Sequence, residues 1–339
     1  MGNPGNPPSQ NDPRLLINDL LDRGYVRATQ STVRAIANGV TSGTIETRLR
    51  QLEEEAARLA EVDGKFTPDN AVVRALMADL ETELKRQGRL INGAAPMVEQ
   101  AGADAARILT RQLALPGFTD RQLQGIGIRW IQPSAEAIAK AVDFIGKEAW
   151  AAELRGYAGL VDVINNAALR GIIDGRGPLA IAREVRQLTE NLPVARANNL
   201  FRTLQLSSYR GATALHQIAN ANILEGVVRI AALDDRTCLC CIALHGTVYP
   251  VGTVIRDHHQ GRCTGVAKVI GRPLAVRTGT DWFNGLPLSR QQEIAGQGNY
   301  EAMQRGQVGL RDFVQDYDDP VFGQMVRQGS LEYAIGVAA

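Results

Sequence analysis

The chain has 339 residues, with 37 Lys and Arg against 36 Asp and Glu, a formal net charge of +1. That length fits two or three domains with room for a buried core, and the near-neutral total excludes a chain-wide basic coat for nucleic acid. Only 5% of residues are aromatic and 34 are glycine, which points to Ala- and Leu-rich helices joined by glycine breaks rather than an aromatic-cored sheet.

The opening residues 1–13 are polar and rich in Pro and Gly, with no apolar stretch suited to a signal peptide, and read as a disordered arm. Residues 14–117 form an N-terminal helical region. In it Ile45, Leu49, Leu52, Ala56 and Leu59 recur at alternating spacings of four and three, an amphipathic seam. Thr67 and Pro68 are expected to start the next helix, whose face carries Val73, Leu76, Met77, Leu80 and Leu84 and which Gly93 to Pro96 should break. Pro116-Gly117 closes the region.

Residues 118–275 form a second block. Pro133-Ser134 opens a long Ala-rich helical segment, and the turn 174–177 leads into a helix from Pro178 to Leu188. Gly175 and Gly177 lack the preceding strand and the Lys-Ser/Thr of a phosphate loop, so they are read as a turn. After Pro193 a further helix presents Ala197, Leu200, Phe201, Leu204, Ser208, Ala212 and Leu215 on one face. Helices end near 220, and residues 226–275 then read as β-rich, with strands over 227–233, 246–250 and 263–270. Short helical pieces are expected in the tail 276–339, at 288–295, 300–305, 310–314 and after Ser330. Residues 181–275 hold 11 basic and 6 acidic side chains, while 276–339 hold 5 and 8, so a basic centre and an acidic tail lie behind the neutral total. The fold expected is mainly α with a small α+β module. No apolar run is long enough to span a bilayer, and a soluble protein made in a cytoplasm is expected.

All four cysteines, Cys238, Cys240, Cys241 and Cys263, lie in the β-rich part, as do His245, His258 and His259. A disulfide framework staples distant parts of a chain, and this crowding suits a local metal site instead. Cys238 and Cys241 form a C-x-x-C pair, and Asp257-His258-His259-Gln260-Gly261-Arg262-Cys263 supplies an imidazole and a third thiolate. Zinc takes four such ligands in a closed structural site with no position left for a catalytic water. The ligands expected are Cys238, Cys241, His258 and Cys263, with His259 as the alternative imidazole. Buried or redox-active thiols are the competing reading. Cys240 is expected to leave the turn on the opposite side, and His245 and His216 to lie on the surface or a helix face. Asp234-Asp235 and Asp318-Asp319 read as turn or solvated carboxylates, and no nucleophile with an adjacent base is evident.

The run from Leu233 to Pro250, with Asp234, Arg236, Thr237, Cys238, Cys241, Leu244 and Gly246, followed by Asp257 to Thr264, resembles the signature of the phage Mu protein F-like minor head proteins, also called the phage head morphogenesis family. The preceding helix, with Arg196, Arg202-Thr203 and Tyr209-Arg210, resembles that family's Arg-Thr helix, and the resemblance covers residues 135–275. It implies a minor capsid protein in the virion, inside the head near the portal vertex, acting in assembly and in genome packaging or ejection. Portal protein, other capsid or scaffold proteins and further copies of the chain are its implied partners. The basic centre 181–275 would be the part that touches packaged double-stranded DNA, and no membrane partner or enzymatic activity is implied. One departure stands out: the family's His-x-x-Cys-Arg-Cys segment has Gly261 here in place of its first cysteine. The alternative is a metal-dependent His-metal finger nuclease, but such an enzyme needs a later Asn or His on a helix after its base, and no histidine follows His259. A zinc nucleobase deaminase would need His-x-Glu with Pro-Cys-x-x-Cys, which is absent.

Overall fold

A computed structural model describes residues 13–140 and 159–339, apart from 42, 63, 65, 68–69, 161, 165, 172–173, 175, 273, 275 and 320–322. The arm at 1–12, Pro68, Gly175 and most of the Ala-rich stretch lie outside the described residues. The fold is mostly helical with two small antiparallel sheets, as the sequence leads one to expect of its class. The chain divides into two compact units. One comprises the described parts of Met1–Gly24, Glu99–Lys147 and Gln205–Ala339, the other those of Tyr25–Val98 and Glu148–Leu204.

The second of these units is a helical bundle. Helices α1 (Pro13–Thr41), α2 (Thr44–Glu61), α3 (Ala71–Ala114) and α5 (Pro178–Ala219) contribute to it, while the short α4 (Asp120–Gly125) belongs to the other unit. The predicted seam is its core: Ile45, Leu49, Leu52, Ala56 and Leu59 pack with Val73, Leu76, Leu80 and Leu84 of α3 and Ile181, Ala182 and Val185 of α5. Arg186 lies over this core and bridges Glu53 at 2.8 Å, Glu46 at 2.9 Å and Glu190 at 2.8 Å.

Three sequence expectations need correction. Asn70, not Thr67, caps α3, its Oδ1 accepting the N–H groups of Val72 at 2.9 Å and Val73 at 3.2 Å. The helix also runs through Gly93 and Pro96, and α5 likewise runs through Pro193. A helix-interior proline costs about 3 kcal/mol. That is outweighed here because apolar faces continue on both sides of it, through Ile91, Ala94, Ala95 and Val98 in α3 and Ala197, Leu200 and Phe201 in α5. Each large side chain so buried contributes roughly 1.5–3 kcal/mol.

In the other unit α5 passes closely along α3. A Cβ on Gly102 would overlap the carbonyl of Gln205, which explains a glycine inside a helix. Leu206, Tyr209 and Ala212 of α5 join Ala106, Leu109 and Leu113 of α3, Ile17 and Leu21 of α1, and sheet residues Val228, Ile230 and Val266 in one core. Asn220 fastens the incoming segment, accepting the Ile131 N–H at 2.6 Å and donating to the Ile131 carbonyl at 2.7 Å.

The three predicted strands are present as β1 (Leu224–Ile230), β2 (Val248–Tyr249) and β3 (Thr264–Val269), with β1 central and both neighbours antiparallel. The first ends earlier than expected, because Leu233 at φ 51° turns the chain away. The tail departs further from its helical expectation. After an unpredicted short helix α7 (Gly279–Asn284), helices α8 (Leu288–Ala295), α9 (Gln297–Gln304) and α10 (Leu331–Ala338) match the predicted pieces, and Leu310–Phe313 forms a 3₁₀ turn. Between them lies an unpredicted hairpin of β4 (Val314–Asp319) and β5 (Gly323–Gln328). Asp316, Asp318 and Asp319 mask the apolar signal of that strand, since its partly solvated face tolerates carboxylates.

His216 lies in α5 and is buried, not on an exposed face, and neither ring nitrogen has a hydrogen-bond partner among the described residues. Burial first, and the charge of Arg107 second, push its pKa down to about 4. A histidine held neutral in the folded state stabilises it fully above its unfolded pKa of about 6.5, and that contribution is lost as pH falls towards 4. The loss expected is roughly 3 kcal/mol at most. Urea unfolding of wild type and His216→Leu across pH 7 to 4 checks this, the variant showing the shallower decline. Equal slopes would remove the claim.

Candidate metal centre

The first half of the site is a short helix and the turn that launches it. After Leu233 the Asp234 N–H donates to Thr237 Oγ1 at 2.9 Å, Thr237 Oγ1 donates to Asp234 Oδ1 at 3.0 Å, and the Arg236 N–H reaches the same oxygen at 3.1 Å. This knot delivers Cys238 as the N-cap of α6 (Leu239–Leu244). N-cap and third helical residue lie side by side in any capping box, and here those two positions are Cys238 and Cys241. Their C-x-x-C spacing thus places two sulfurs on one side of the turn.

The second half is the loop 256–263, shaped around the carboxylate of Asp257. Its Oδ1 accepts the His258 N–H at 3.0 Å and its Oδ2 the Cys263 N–H at 2.9 Å, closing the loop on itself. A Cβ on Gly261 would overlap this carboxylate, so the loop needs glycine there for space. Gln260 at φ 56° completes the bend. Arg210 reaches in from α5, donating to Asp257 Oδ2 at 2.9 Å, to the Cys263 carbonyl at 2.8 Å and to the Gly261 carbonyl. Arg229 reaches in from β1, donating to Asp257 Oδ1 at 3.3 Å, to the Arg256 carbonyl and to Cys241 Sγ at 3.6 Å. Burial would raise the pKa of Asp257, but Arg210 and then Arg229 hold it below the ordinary carboxylate value.

The halves converge on sulfur and nitrogen. His258 Nε2 is 3.5 Å from Cys238 Sγ and 3.5 Å from Cys241 Sγ. Ligand atoms of Cys238, Cys241 and His258 lie within 4.8 Å of one another, as do those of Cys241, Asp257 and Cys263. Zinc–ligand bonds of about 2.3 Å to sulfur and about 2.05 Å to nitrogen at a tetrahedral angle put S and N about 3.6 Å apart. The observed separations fit that. His258 Nδ1 lies 2.9 Å from the His259 carbonyl, which can only accept, so Nδ1 carries a proton and Nε2 is the nitrogen presented to the sulfurs. Cys238, Cys241 and His258, joined through Cys241 to Cys263, form a Cys/His cluster that could hold a metal ion.

Without an ion, proton positions follow the same contacts. Hydrogen bonding from Cys240 and Cys241 pushes the Cys238 pKa down to about 2, with His258 adding to the effect. Burial opposes charge on His258, yet Cys238, Cys241 and Asp257 push its pKa up to about 12. Hydrogen bonding to Cys241, then burial, pushes the Cys263 thiol up. Metal binding displaces such protons.

Several expectations change here. Cys240 is buried and belongs to neither group of ligand atoms, and Cys238 and then Cys241 push its pKa up so that it stays a thiol. His259 points away from the sulfurs, its Nε2 2.9 Å from Asp319 Oδ2 on β4. His245 is buried, and its Nδ1 accepts the Ala231 N–H at 2.8 Å. Asp234 is the turn carboxylate expected, and Arg262 in addition grips both its oxygens at 2.5 and 2.6 Å and, as the leading cause, pushes its pKa down to about 2. That pair ties the loop to the turn before Cys238. Asp257, Arg210 and Arg229 were not singled out by spacing. The available signal was Arg229, a charge inside the apolar run Val227-Val228-Arg229-Ile230, which demands a buried partner.

All four cysteines are free thiols, and among the described residues no helix is long and apolar enough to cross a membrane. Comparison of the chain with protein-family models, with curated proteins and with solved structures finds no match to any of them.

Proposed function

We propose that this chain is a phage minor head protein, located inside the capsid near the portal vertex and acting in head assembly and genome packaging or ejection, with a structural zinc ion held by Cys238, Cys241, His258 and Cys263. The observation that carries the reading is that the residues resembling the head morphogenesis signature have one joint structural task. Asp234 and Thr237 set the turn, Cys238 and Cys241 present sulfur, Arg262 clips the loop to Asp234, and His258 and Cys263 complete the donor set. A donor set of three thiolates and one imidazole suits zinc and, once closed, orders a loop rather than activating water.

The departure at Gly261 has a physical counterpart, since the Asp257 carboxylate fills the space that a cysteine side chain would need. Four donors remain without it. The nuclease reading is less favoured, because His258 Nε2 faces two sulfurs instead of open space and His259 is engaged by Asp319. Portal protein and neighbouring capsid or scaffold chains are the partners proposed, with the basic residues of 181–275 available to packaged double-stranded DNA.

Full-length protein purified anaerobically is expected to carry one zinc per chain by elemental analysis, and Cys238→Ser or Cys263→Ser to lose it. Because a structural zinc contributes folding energy directly, both variants should also unfold at lower urea concentration. A wild type with well under one zinc per chain would remove the metal.

The assembly role has a separate check. Co-expressed with the portal protein of the same phage, the wild-type chain is expected to co-purify with it, and heads assembled with Cys263→Ser to contain several-fold less of the chain. Its absence from purified virions by mass spectrometry would overturn the head-protein reading, as would DNA cleavage by metal-loaded wild type that His258→Ala abolishes.

A further inference from the structure

Beneath the sulfur cluster two guanidinium groups share one carboxylate. The side chains of Arg229, Arg210 and Asp257 are 2%, 6% and 0% exposed, so the trio holds one positive charge in excess, away from water. Such a charge is strongly disfavoured unless something nearby answers it. The closest candidate is sulfur, with Arg229 Nη2 3.6 Å from Cys241 Sγ.

Counting charge separates the donor sets that the geometry allows. A divalent ion with thiolates Cys238, Cys241 and Cys263 and a neutral His258 carries one negative charge, which cancels the excess. Replacing Cys263 by Asp257 as the fourth ligand, with Cys263 left as a thiol, leaves the buried assembly one charge positive. Asp257 is also engaged elsewhere: Oδ1 accepts from the His258 N–H, from Arg229 and, without an ion, from the Cys241 thiol at 3.4 Å, and Oδ2 accepts from Arg210 and the Cys263 N–H.

We propose that Arg229 is a positioning residue of the metal centre: it donates a hydrogen bond to the Cys241 thiolate and, with Arg210, supplies the fixed positive charge that selects a three-thiolate donor set, Asp257 serving as the counter-ion of the arginines and not as a ligand. This rests on the zinc reading given above and adds the reason for its ligand choice. Donation to Cys241 draws charge from that sulfur and makes it harder to protonate, so the ion leaves more slowly. A lysine could supply the charge but not the planar fork that spans Asp257, the Arg256 carbonyl and sulfur together.

Cobalt(II) in place of zinc tests this on the full-length chain, because the intensity of its sulfur-to-metal bands counts coordinated thiolates. Wild type is expected to show three, and Asp257→Asn to keep three. Zinc transfer to a chromogenic chelator should be at least ten-fold faster in Arg229→Met than in wild type, with Arg229→Lys in between. Two thiolates in wild type, or zinc release from Arg229→Met at the wild-type rate, would overturn the inference. If Arg229→Met does not fold, Arg229→Lys decides it: faster release than wild type supports the role and unchanged release refutes it. A wild type that binds neither cobalt nor zinc refutes the metal reading itself, which is a different result.

Discussion

A carboxylate with no access to water, held between two arginines, is the constraint on which the site depends. Asp257 connects α5 through Arg210, β1 through Arg229, and both ends of its own loop through the His258 and Cys263 amides. Removing one partner of a buried charged pair typically costs about 3–5 kcal/mol, since the remaining charge is stranded. The loop therefore has one position relative to the helix and the strand, and two donors, His258 and Cys263, inherit that position. Cys238 and Cys241 owe theirs to a different device, the Asp234–Thr237 turn, and Arg262 joins the two devices by gripping Asp234.

This division explains how much was legible in the sequence. The members of the Cys/His cluster were readable, because C-x-x-C, His and Cys are residue types whose spacing suits a shared ion. The strands were readable from β-branched runs such as Val227-Val228, and the α2 seam from the recurrence of Ile45, Leu49, Leu52 and Ala56. What ordered the donors was not readable in the same way. Arg210 lies 47 residues from Asp257 along the chain and Arg229 lies 28, and no local periodicity encodes a partner at that distance.

The misread boundaries share one cause. Pro96, Pro193 and Gly93 are breakers in isolation, and Gly102 is unfavourable in a helix interior, yet all lie inside long helices. Local cost was outweighed by tertiary contact: at Gly102 the small residue is what allows α5 to approach, so the missing Cβ that weakens the helix locally also permits its packing. The β4–β5 hairpin failed in the opposite sense. Its strands carry Asp316, Asp318, Asp319, Gln315 and Gln324, a composition that reads as loop, and it is fixed by contacts made elsewhere, with His259 on Asp319 and Gln328 Oε1 accepting the Leu239 N–H at 2.8 Å.

Those contacts bear on why a cross-link belongs where the cysteines are. Helix α6 has six residues, far below the length at which a helix holds itself in water. One side of it is supported by a sizeable core, in which Leu239, Ile242 and Ala243 meet Phe283, Leu310, Phe313 and Ala334. Among the described residues the other side, at Cys241, meets the smaller cluster of Val227, Ala231, Ile255 and Cys263, with Leu233, Cys238 and Tyr249 partly buried against it, a limited apolar surface for fixing three separate segments. A disulfide would join two of them. A four-donor ion held by the cluster would join the α6 turn, the histidine of the loop and the start of β3 at one point. The cluster thus lies on the side of α6 with the smaller of these two apolar clusters, where a small module gains from a staple.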